Sequence, residues 1–108
     1  MSAWSRRSLM AAALLGAAAS LAAAPVEAPF LAENQAAMNR MMAAMSIKPS
    51  GDVDRDFVAM MVPHHLGAID MARAELRYGH NEQLRRLAQE IIVTQQQEIA
   101  AMRLAITE

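Results

Sequence analysis

At 108 residues, 55% of them hydrophobic, and with a formal net charge of −1, the chain has room for one domain and lacks the basic excess that nucleic-acid binding draws on. Cysteine is absent, which excludes disulfides, thiolate metal sites, lipid attachment through cysteine and cysteine nucleophiles.

The N-terminus reads as an export signal rather than as structure. Arg6 and Arg7 precede an apolar run, Leu9 to Ala24, built only of Ala, Leu, Met, Gly and Ser, which is the pattern of a signal peptide. The paired arginines with Leu9 two places later fit the twin-arginine type. Small residues at Ser20, Ala22 and Ala24 suit cleavage, and Pro25 disfavours a cut directly before it, so residues 1–22 are expected to be removed. A retained anchor is the poorer reading, because the 16 residues of the run fall short of the roughly 20 that a spanning helix needs. Removal leaves 8 basic against 11 acidic side chains, a net charge of −3, and places the mature protein in the periplasm or outside the cell with no stable membrane anchor.

Residues 23–29, bracketed by Pro25 and Pro29, read as a linker to a helical domain over residues 30–108. Three segments follow with helical periodicity and little β-branched clustering, so the fold class is all-α. In the first, residues 30–47, Leu31, Met38, Met41, Met42 and Met45 share one stripe. Lys48, Pro49, Ser50 and Gly51 then break the helix. Asp52 or Asp54 can cap a second helix that runs to Tyr78. Gly79 is expected as a left-handed terminator, with His80 solvated in the turn and Asn81 capping a third helix over residues 82–107. Two helices of about 26 residues, each about 39 Å long and joined by so short a turn, should pack antiparallel. Pro63 lies within the second helix, and the sequence leaves open whether the helix kinks there or stops and restarts.

The stretch around Pro63 carries the densest chemistry. Met60, Met61, His64, His65 and Met71 fall on or beside one face, with Met60 and His64, and Met61 and His65, each four apart and able to share an ion. Thioether sulfur is a soft ligand and imidazole a borderline one, so this mixture suits Cu(I), with imidazole also able to hold Cu(II); zinc would be better served by a third histidine, a carboxylate or a cysteine. Eight of the ten methionines lie beyond residue 22. Taken alone, Met38, Met41, Met42 and Met45 read as a flexible core stripe, and the paired histidines can equally be packing residues. Methionine enrichment, two histidines, no cysteine and export together favour copper, with those four methionines as further weak ligands.

On the third helix Leu84, Ala88, Ile91, Ile99 and Met102 form the apolar stripe, and Gln95 and Glu98 interrupt it. They are either a hydrogen-bonded or water-exposed pair, or supports that orient the imidazole of His64 or His65 through a free ring nitrogen. Met102 is one more candidate soft ligand. No nucleophile and base pair, phosphate loop or carboxylate dyad is present, so no enzyme is expected. The competing reading is a helical interaction or stress-response module with a methionine-lined groove for partners.

The ordered series Asp56-Phe57, Met60-Met61-Val62-Pro63-His64-His65, Gly67-Ala68-Ile69-Asp70-Met71-Ala72, Leu87-Ala88, Ile91, Gln95, Glu98-Ile99 and Met102 resembles the domain of unknown function 305 family over residues 52–104. The resemblance implies a small exported bacterial protein with a ferritin-like helical bundle, and similarity to members that bind copper and are associated with copper resistance. Only three helices fit the mature chain, so a homodimer would complete a four-helix unit. No Glu-x-x-His pair is present, so ferritin-like describes shape and not di-iron chemistry. A copper-transport partner is the remaining expected contact.

Overall fold

The computed structural model describes residues 27–107; the signal segment, its cleavage site and the start of the expected linker lie outside them. The described residues are all-helical. Helix α1 covers residues 27–45, α2 Val53–Tyr78 and α3 Glu82–Ala105. Residues 27–29, read from the sequence as part of a linker, are already helical. Pro29 stands in the first turn of the described helix, where its missing N–H would have no intrahelical partner, and Glu27, Ala28, Leu31, Ala32 and Glu33 around it are strong helix formers. None of the described helices is long and apolar enough to cross a membrane.

The ends of α2 and α3 follow from local chemistry. Asp52 accepts from the backbone N–H groups of Asp54 and Arg55, and Asn81 from that of Leu84 at 3.0 Å, each satisfying donors that the first helical turn leaves free. Gly79 corrects its expectation: it takes φ −76° and ψ 157°, extended rather than left-handed. The last carbonyls of α2 find another donor instead. Arg85, one turn into α3, reaches back to the oxygens of Leu76 at 2.6 Å and Gly79 at 3.1 Å. Glycine is still required at position 79, because a Cβ there would run into the Glu75 carboxylate and lie 2.7 Å from its backbone oxygen. Pro63 neither ends nor restarts α2, which is continuous through it.

Both neighbours of α2 run antiparallel to it. On one side Phe30 meets Tyr78 edge to face at 6.5 Å, Glu33 pairs with Arg77, Arg40 pairs with Asp70 at 3.4 Å, and Met41 seats on Gly67. A Cβ at residue 67 would lie 2.7 Å from the Met41 sulfur, so the absence of a side chain sets how closely α1 approaches. The hydrogen bond and charge of Glu33 hold the Arg77 guanidinium above its ordinary pKa. On the other side Arg55 reaches the backbone oxygen of Ile106 at 3.5 Å, His65 meets Glu98 and Leu76 meets Arg85.

The core is thin. Its buried apolar residues are Ala37, Val58, Ile69, Ala72, Ala74, Ala88 and Ile99, and among the described residues no large side chain is completely enclosed. The α1 methionines are only partly in it: Met41 and Met45 are half-buried, while Met38 is 43% and Met42 64% exposed. The inward face of α1 passes through Phe30, Ala37 and Met41, which lies about 80° round the helix from the centre of the methionine stripe.

Candidate metal-binding seam

His64 and His65 are neighbours in sequence and about 100° apart around α2, and that step gives them different surroundings. His65 is 7% exposed and faces α3; His64 is exposed. Their rings sit 6.1 Å apart at 60°. The His65 Nδ1–H donates to the backbone oxygen of Met61 at 2.8 Å, and Nε2 lies 2.5 Å from the Glu98 carboxylate. A carbonyl oxygen can only accept, so Nδ1 carries a hydrogen, and Nε2 faces the Glu98 carboxylate. The tautomer is thereby set from the backbone side, and Nε2 is the ring nitrogen left to meet whatever occupies the seam.

The two members of this pair differ in burial. The His65 side chain is 9% exposed and that of Glu98 58%, so His65 is held by its packing and by Met61 while the carboxylate borders solvent.

The antiparallel register places the remaining candidates. Four residues back from His65 is Met61 and four residues on from Glu98 is Met102, so these two half-buried methionines stand opposite each other, one turn from the imidazole. Gln95, three residues before Glu98, lies one turn to the other side, and its Oε1 is buried without a hydrogen-bond partner. A buried acceptor left unpaired costs about 1–3 kcal/mol. Met61, His65, Gln95, Glu98 and Met102 thus share one seam between α2 and α3.

The other candidates lie elsewhere. Met60, 40% exposed, and His64 form an outer pair one turn apart on α2. Met71 is about 16 Å along the helix from Met60, and it lines an apolar groove with Ala68, Ala72, Leu84, Leu87, Ala88 and Ile91. Met60 and Met71 therefore do not converge on one ion. Met41 lines a different groove, about 470 Å³, between the three helices beside Pro63, Leu66 and Ile99, and neither histidine contributes to it. Sequence reasoning named all five seam residues, pairing Met61 with His65 and offering Gln95 and Glu98 as supports for an imidazole; it also grouped Met60 and Met71 with them, and these lie apart from the seam. The usable signal was the spacing, four between residues 61 and 65, and three then four along 95, 98 and 102, which is the repeat of two helices facing each other.

Among the described residues no three His, Asp or Glu side chains converge as a ligand group. Besides His65 and Glu98, the seam offers the thioethers of Met61 and Met102 and the amide oxygen of Gln95; thioether sulfur fits copper better than zinc. The family model for the domain of unknown function DUF305 matches residues 3–106, a wider span than the 52–104 that carry the resemblance. No curated protein matches the chain.

Proposed function

The chain belongs to the DUF305 family, and we propose that it is an exported copper-binding protein of the periplasm or cell exterior that sequesters or hands on Cu(I). The observation that carries this reading is the buried His65 imidazole, its Nε2 facing a solvent-exposed carboxylate, with Met61 and Met102 in the adjoining turns. One imidazole and two thioethers are a donor set that soft, low-coordinate Cu(I) accepts. An ion arriving at Nε2 displaces Glu98 from it. His64 with Met60 forms an outer pair suited to first capture, and Met38, Met42 and Met45 offer weaker thioether contacts. The shape is that of a ferritin-like bundle short of one helix, and a copper-transport protein is the partner that such a carrier serves.

A specific observation favours a second role for the same molecule. Leu84 and Leu87 of α3 are about half exposed and line the groove that holds Met71. That apolar surface suits a second copy completing a four-helix unit.

The copper reading is tested by competing the purified protein against a chromophoric Cu(I) chelator under reducing conditions. Submicromolar binding is expected, weakening at least tenfold, about 1.4 kcal/mol, in Met61→Leu/Met102→Leu, which removes both sulfurs while keeping apolar volume. Absence of competition by the folded wild-type protein overturns the proposal.

A further inference from the structure

Gln95 Oε1 is buried without a partner, and the pair beside it has its carboxylate oxygen directly on the imidazole nitrogen. Along the seam, Gln95 lies one turn from the His65–Glu98 pair, on the side away from Met61 and Met102. Sulfur therefore serves one end of the seam and the Gln95 oxygen the other, with His65 Nε2 and the Glu98 carboxylate between them. An orphaned amide oxygen and a carboxylate three residues apart on a helix point the same way, and neither is of use to Cu(I), which prefers thioether and imidazole. Cu(II) is harder and takes imidazole, carboxylate and carbonyl oxygen in a planar arrangement.

We infer that Gln95 and Glu98 are ligands for the oxidised ion, so that the seam holds Cu(I) through Met61, His65 and Met102 and Cu(II) through His65, Glu98 and Gln95. This rests on the copper reading above and deepens it: His65 is common to both sets, and the oxidation state of the ion selects which end of the seam it engages. Glu98 has the freedom this requires, being more than half exposed. It returns to Nε2 when the ion leaves. Gln95 has no hydrogen bond to lose at its Oε1, so engaging an ion relieves a cost rather than adding one.

The test measures both affinities on the same proteins: Cu(I) against a Cu(I) chelator with reductant present, and Cu(II) against a Cu(II) chelator in air, with electron paramagnetic resonance of the Cu(II) form. Glu98→Gln retains a hydrogen-bonding group for Nε2, and Gln95→Leu keeps apolar volume without adding a sulfur, so helicity and the unfolding midpoint by circular dichroism serve as fold controls. Glu98→Gln and Gln95→Leu are each expected to weaken Cu(II) at least tenfold and to change the resonance parameters, without weakening Cu(I). Met61→Leu/Met102→Leu is expected to do the reverse. If the two α3 variants weaken both oxidation states equally, or neither, the inference fails while copper binding stands. If the wild-type protein binds neither ion, the copper reading fails first and this one with it.

Discussion

His64 and His65 show how much one residue step around a helix decides. His65 faces α3 with both ring nitrogens engaged, and His64 faces water. Replacing His65 with alanine leaves a cavity in an already thin core and frees Glu98, and is expected to cost about 2–3 kcal/mol. His64→Ala at an exposed position should stay within about 0.5 kcal/mol of wild type. Urea unfolding followed by circular dichroism separates the two; equal losses would mean that His65 is not a seam residue. The sequence shows that these histidines lie on a helix beside methionines, because that information is local and periodic. It does not show which of them faces a partner helix, because that depends on where α1 and α3 pack, and two adjacent positions on one helix are equally available until they do. The same limit applies to Met38 and Met42, whose stripe is legible in the sequence although its rotation away from the core is not.

At the scale of the elements, the caps at Asp52 and Asn81 were legible because each is satisfied within three residues. The α2 terminus was not, because its carbonyls are served from across the turn by Arg85, a residue that reads in sequence as ordinary surface charge. Arg85→Met keeps the aliphatic reach and removes the donors. It is expected to destabilise the α2–α3 pair by about 1–2 kcal/mol through two lost charge-assisted hydrogen bonds at a helix C-terminus. Thermal unfolding tests this, and an unchanged midpoint would mean that water satisfies those carbonyls as well as the guanidinium does. Pro63 makes a related point. A proline inside a helix costs one amide donor, and α2 runs through it nonetheless, supported on one side by Met41 against Gly67 and on the other by His65 against Glu98.

At the scale of the whole molecule, three helices enclose a core made chiefly of alanine and a few β-branched residues, with no large side chain completely buried among the described residues. Small domains of this kind gain stability from whatever binds only the folded form. A copper ion on the proposed seam, held by sulfur from both helices, would do so directly, since its ligands come together only when the two helices pair. X-ray absorption at the copper edge of protein loaded with one equivalent of Cu(I) tests this most directly. Two sulfur scatterers and one imidazole nitrogen are expected around the ion, with both sulfurs lost in Met61→Leu/Met102→Leu. A shell of nitrogen and oxygen alone in the wild-type protein, or sulfur that persists in the double variant, would contradict it.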